Sequence, residues 1–259
     1  MSENQDMYIL LKCVDKQFVE STLDGNFYFA RNRYFIDLEK QQIDKGIGDE
    51  REGVWSQLMT PQESQLFIIT ESGERIPLNF NKGVFRQTYS NLKDCPICCF
   101  VILSLNKDFE DNGEGVLILK TDIREKLSEK FNGRDLILIR DMHEFTERID
   151  ASCKKEGFDR MCGMVTYYDD ETECHPLPED DAINYPTRTL LYKRKFFEFQ
   201  KEYRIVIKVP QEKDVMLKMG DVRDISYNLG EITTDNFPIE IGYEKEGSKI
   251  NFKVKITHS

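Results

Sequence analysis

The run CPICCFVILSL (95–105) decides how the rest of the chain can be read. It is almost continuously apolar and carries β-branched Ile97, Val101 and Ile102, as a strand buried on both faces would. Neither this run nor any other approaches the roughly 20 apolar residues that a membrane helix needs. On its N-terminal side, MYILLKC (7–13) reads as a strand and Asp15 as the N-cap of a short helix through Thr22, which Asp24-Gly25 breaks. NFYFA (26–30) is strand-like, and RYFIDLEKQQI (33–43) places apolar residues at helical spacing. GIGDEREG (46–53) is a glycine-bounded charged loop. QLFIIT and RIPLNF flank ESGE, which predicts a β-hairpin turning at Ser72-Gly73.

On the C-terminal side, GVLILK (115–120) follows an Asn112-Gly113 turn. TDIREKLSEKF (121–131) is the clearest helix, with Thr121 as cap and Ile123, Leu127 and Phe131 on one face. RDLILIR (134–140) and CGMVTYY (162–168) read as strands, and DMHEFTERIDASCKK (141–155) as a helix. Residues 169–189 are proline-broken, with seven Asp or Glu among the thirteen of 169–181, a composition that predicts a mobile surface loop. RTLLYKRKFFEF reads as a short helix or turn leading into EYRIVIKV, and DISYNL, FPIEIG and KINFKVKI close the pattern as strands. No repeat or linker divides the chain. The expectation is one α+β domain over 1–259, with a mixed, largely antiparallel sheet flanked by short helices.

A chain of 259 residues is long enough to bury roughly 75% of the surface its unfolded form exposes. Lys plus Arg number 36 against 47 Asp plus Glu, a net charge of −11, which disfavours broad, non-specific nucleic-acid binding and favours small ligands and protein partners. The start, MSENQDMYILLKC, lacks the basic n-region and long apolar core of a signal peptide, so a cytoplasmic protein without a membrane partner is expected. Seven cysteines, an odd number, several beside apolar strand residues, predict reduced thiols.

Metal chemistry has little to stand on. Cys95, Cys98 and Cys99 contain a C-x-x-C, but it runs into a strand, and the one further pair, Cys174-His175, lies in the acidic loop. His143, His175 and His258 are isolated, and no hydrolase triad, P-loop or dinucleotide fingerprint occurs. GIGDEREGVW (46–55) could form a pocket rim, its charges ending on the only tryptophan; the plainer alternative is a solvated turn.

FFEFQKEYRIVIKV (196–209) is the most suggestive stretch. Residues i and i+2 share one face of a strand, so Gln200, Glu202 and Arg204 would line one side and Tyr203, Ile205 and Ile207 the other. A carboxylate beside a carboxamide suits chemistry that builds positive charge on a sugar. A purely structural role, with Glu202 paired to Arg204 or a lysine, competes.

FEFQKEYRIVI resembles the Q/E-x-E loop and strand of ADP-ribosyltransferases, whose site residues run in the order Arg, Ser, Glu on a split sheet. The resemblance implies NAD as substrate, with Arg31 (or its competitor Arg33) on the pyrophosphate and Ser104 bracing the site. Glu202 would be catalytic, and Gln200 would position a protein or nucleic-acid acceptor. Ser104 stands alone where that superfamily has Ser-Thr-Ser. The layout also resembles an uncharacterised bacterial family common near mobile elements and anti-phage loci. LDGNFYF (23–29), GDEREG (48–53), CFVILS (99–104) and Lys193 through Arg204 carry that likeness, over about three-quarters of the chain. It implies a phage-defence or toxin effector. Two other functions compete: a non-catalytic ligand- or partner-binding module, and a metal-dependent nuclease using Asp49, Glu50 or Glu202 with Lys208.

Overall fold

The computed structural model describes residues 6–40, 49–62, 64–209, 213–246 and 249–255. His258, the glycine-containing start of GIGDEREG and the end of RYFIDLEKQQI lie outside them. The fold is α+β, with more strand (41%) than helix (29%), largely antiparallel sheets and short helices. Two compact units emerge, residues 1–32, 94–165 and 198–259 in the first and 33–93 and 166–197 in the second. Each is assembled from separated segments, which is why no linker composition marks a boundary.

In the first unit the run that opens the sequence argument is the strand Pro96–Ser104. It lies inside an antiparallel sheet ordered Asp159–Met164, Glu202–Lys208, Pro96–Ser104, Tyr8–Asp15, Arg134–Ile139, Ser226–Glu231. Both of its faces are covered. Cys98, Phe100 and Ile102 share a core with Leu10, Ile137 and Ile205, joined by Phe145, Ile149 and Cys153 of the helix Met142–Glu156. Val101 and Leu103 point the other way, into a core with Leu11, Leu136 and Leu138. That core includes Leu127 of the helix Thr121–Phe131 and Leu119 and Ile241 of a second, four-stranded sheet. Fully burying each such side chain contributes about 1.5–3 kcal/mol, so a two-faced strand is a strong anchor.

The strand Asn26–Arg31 joins the start of this central strand and also pairs with Val215–Lys218. Gly25 sets up that second pairing. Its φ is +81°, and a Cβ there would lie 1.8 Å from the Gly220 carbonyl oxygen, so only glycine allows the close approach. Asp141 caps the helix Met142–Glu156 by accepting from the Glu144 N–H, and Gly157 ends it in the left-handed region. No helix among the described residues is long and apolar enough to cross a membrane.

The second unit is built from ribbons. Val54–Met59 pairs with Gly83–Thr88, and Leu66–Ile69 with Arg75–Leu78, the hairpin foreseen around Ser72-Gly73. Thr166–Tyr168 runs parallel to Tyr192–Arg194. A small core joins Trp55, Leu177 and Ala182, with Tyr89 and Tyr192 packed against it. The segment expected to be a mobile acidic loop is ordered instead. It carries the helix Glu179–Asn184 and the 3-10 turn Pro186–Leu191, and it buries Asp170, His175, Leu177 and Ala182. A few apolar and paired residues outweigh the average composition there.

Candidate functional site

The sheet register places the residues singled out from the sequence. Arg31 sits opposite Pro96 and Ser104 opposite Tyr8, at the two ends of the central strand. Eight residues of strand separate those positions, roughly 26 Å at about 3.3 Å per residue. Glu202 pairs with Val101 and Arg204 with Cys99, on the face opposite to the Cys98, Phe100 and Ile102 side chains. Ser104 has the parity of Phe100 and Ile102, and Arg31 that of Phe27 and Phe29 in the same core. Arg31, Ser104 and Glu202 therefore do not converge: two lie at opposite ends of one sheet face, and the third is on the other.

Local partners agree with that separation. Arg31 is held by Asp214, at 3.3 Å from Nε, and by Asp94 at 3.6 Å. The Ser104 N–H donates to Asp108 and its Oγ accepts from the Lys107 N–H, which makes it a turn residue. Arg33 belongs to the helix Asn32–Lys40, in the second unit. Glu202 is buried and takes a 2.6 Å hydrogen bond from Arg204 Nε, itself only 2% exposed.

The expectation that Gln200, Glu202 and Arg204 share one strand face needs correcting. The strand starts at Glu202, while Gln200 ends a 3-10 turn over Lys195–Gln200. Between them Lys201 has φ +48°, the one non-glycine positive φ among the described residues. Its carbonyl accepts from the Ile102 N–H and its Nζ pairs with Asp108 at 3.0 Å. Gln200 is buried, but by a turn and not by strand alternation. Lys208, the partner proposed for a nuclease, is exposed at the far end of the same strand, roughly 20 Å from Glu202 along the rise.

The second unit holds a different assembly. Asp49 and Glu52, from the charged loop, are 1% and 4% exposed, so a solvated turn is not what they form. Glu52 pairs with Lys193 at 3.4 Å, both side chains buried. Asp49 Oδ1 accepts from the Arg51 N–H at 2.9 Å, from Arg194 Nε at 2.8 Å, and lies 2.7 Å from Arg194 Nη2. Asp49 Oδ2, equally buried, has no hydrogen-bond partner. Burial, followed by the neighbouring charge of Glu52, pushes the Asp49 carboxyl above its usual range. Asp170 is bound by Arg51 and approached by Arg86 at 3.6 Å. Lys193 and Arg194 both stand over the Phe197 ring, at 4.5 and 5.2 Å.

Beside these charges lies an aromatic box. The His175 ring sits 4.5 Å from Tyr192, 4.9 Å from Tyr168 and 6.5 Å from Trp55. Its Nδ1 accepts from the Leu177 N–H at 3.0 Å, and burial lowers its pKa to about 4, so it is neutral near pH 7 with the proton on Nε2. That Nε2 has no hydrogen-bond partner. The Tyr168 hydroxyl meets Ser56 Oγ at 3.3 Å, and burial raises its pKa to about 12, with the charges of Asp170 and Asp49 adding to the shift.

None of the seven cysteines is in a disulfide; Cys98 is buried, and burial raises its pKa. No family model, no curated protein and no solved structure matches this chain. The residues that sequence reasoning missed here are Asp170, His175 and Arg194. Arg194 had a visible signal in the KRK run at 193–195, whereas Asp170 and His175 were hidden in the acidic composition of 169–189.

Proposed function

We propose that the chain is a non-catalytic ligand-binding module, of the kind a bacterial or phage defence system would use, with the polar interior of its second unit as the recognition centre. The observation that carries this reading is Asp49. Its Oδ1 collects three close nitrogens while Oδ2, 1% exposed as a residue, accepts nothing. A buried carboxylate oxygen without a donor costs about 1–3 kcal/mol unless something completes it. The surrounding ion pairs hold that oxygen in place before any ligand arrives, which lowers the ordering cost of binding. A melting scan with NAD, ADP-ribose, adenosine and ribose tests the reading. Stabilisation by at least one of them without turnover is expected; a melting temperature unmoved by all four at millimolar concentration contradicts it.

One observation favours a second reading, ADP-ribosyl transfer from NAD through Glu202 on a split sheet. Lys201 adopts its uncommon φ between two buried polar residues, Gln200 and Glu202, and such backbone strain gathers at active sites. Against it, the guanidinium of Arg204 already compensates the carboxylate that would have to stabilise a ribosyl cation. Labelled NAD incubated with lysate, beside Glu202→Gln, separates the two. Label transfer that depends on Glu202 would support the transferase, and equal labelling in both proteins would dismiss it.

A further inference from the structure

Asp49 Oδ2, His175 Nε2 and the Tyr89 hydroxyl, all in the second unit, are buried polar side-chain atoms with no hydrogen-bond partner. Their chemistry is complementary. As a carboxylate, Asp49 Oδ2 can only accept. His175 Nε2 donates, because Nδ1 is already an acceptor for Leu177. Tyr89 can do either. Tyr168 links the first two, since its ring packs on His175 and its hydroxyl feels the charge of Asp49. Tyr89 packs on the core of Trp55, Leu177 and Ala182, with Tyr192 alongside.

The charges nearby are matched within the cluster. Asp49 is met by Arg194, Asp170 by Arg51 and Arg86, and Glu52 by Lys193. A phosphate or carboxylate ligand would have to take a cation from one of these acids and leave that acid buried beside it. A cationic ligand would face four basic side chains. A neutral group that both donates and accepts asks for neither exchange.

Resting on the binding-module reading above, we infer that the ligand is a neutral ring bearing neighbouring hydroxyls, a sugar or the ribose of a nucleoside. One hydroxyl donates to Asp49 Oδ2 and its neighbour accepts from His175 Nε2, while the C–H face of the ring lies against the aromatic side chains. Carboxylate recognition of ribose hydroxyls follows the same donor logic as in dinucleotide folds.

The test compares ribose, adenosine and 2′,3′-dideoxyadenosine against the full chain, by melting scan and calorimetry. Adenosine, or ribose itself, should raise the melting temperature by about 5 °C or more at a hundredfold excess over Kd. The dideoxy analogue should bind at least about tenfold more weakly, because the two buried groups stay unpaired. Response to ribose alone identifies a free sugar, and response to adenosine alone a nucleoside; either supports the inference. Asp49→Asn should abolish the shift. Because that variant could fail to fold, the dideoxy comparison on the unaltered protein stands as the independent arm. Equal binding of adenosine and its dideoxy analogue overturns the diol assignment but leaves the binding module standing. Stabilisation by NAD or ADP-ribose with no response to ribose or adenosine does the same. No response to any probe removes both, and the three atoms are then satisfied by buried water.

Discussion

Both units bury an ion pair, but they assemble it over very different distances in the chain. Glu202 and Arg204 are two residues apart on one strand, so alternation alone brings them to the same face. Asp49 and Arg194 are 145 positions apart, and they meet because the loop before Val54–Met59 packs beside the strand Tyr192–Arg194. The first pair was readable as a periodicity. The second exists only in three dimensions, and it is the one that leaves a buried acceptor unfilled. A local pair can be a by-product of strand geometry, whereas a long-range pair with an unfilled oxygen needs a separate reason.

The contrast is open to attack at several points. The largest effect is expected at Lys193→Met, which takes the buried ammonium away from the buried Glu52; urea denaturation should show a loss of about 3–5 kcal/mol. Adding Glu52→Leu should restore most of that, since an apolar replacement of a buried pair is close to neutral. A loss below about 1 kcal/mol would mean the pair is wet. Arg204→Met should cost somewhat less, about 3 kcal/mol, and a double-mutant cycle with Glu202→Gln should return a coupling of about 1–3 kcal/mol. Zero coupling would show that the guanidinium serves other partners.

The His175 prediction concerns pH. Its pKa falls from 6.5 in the unfolded chain to about 4 in the fold, so the unfolded state binds the extra proton between those values. The contribution is complete above pH 6.5 and is lost as pH falls towards 4, to a limit of about 3 kcal/mol at 1.36 kcal/mol per pKa unit. Comparing the pH dependence of denaturation for the unaltered chain and His175→Phe isolates it. Parallel curves between pH 6.5 and 4 would show that the ring is not buried neutral. The smallest effect is expected at Lys201→Gly. Relief of the positive φ opposes loss of the Asp108 pair, and stability should stay within about 1 kcal/mol.

Where the sequence proved legible, local rules carried the signal. The run at 95–105 announced a two-faced strand, ESGE announced a hairpin, and residues 141–155 announced the helix Met142–Glu156. It was misleading where long-range pairing outweighed composition. Residues 169–189 look solvated because they are acidic, yet Arg51 and Arg86 meet Asp170, and Leu177 and Ala182 complete a core with Trp55. Gln200 looked like a strand neighbour of Glu202 because period-2 counting cannot foresee a left-handed residue at Lys201. Nor can residue order alone say that Arg31 lies across from one end of the strand Pro96–Ser104 while Ser104 forms its other end.

Trp55 offers the most direct check on where the ligand goes, because it is the only tryptophan in the chain and its buried ring lies 6.5 Å from that of His175. Titrating adenosine while following its single indole resonance should give a saturable shift that vanishes in Asp49→Asn. An indole signal that stays fixed while resonances of the Glu202–Lys208 strand move would place the binding surface in the other unit and contradict the account.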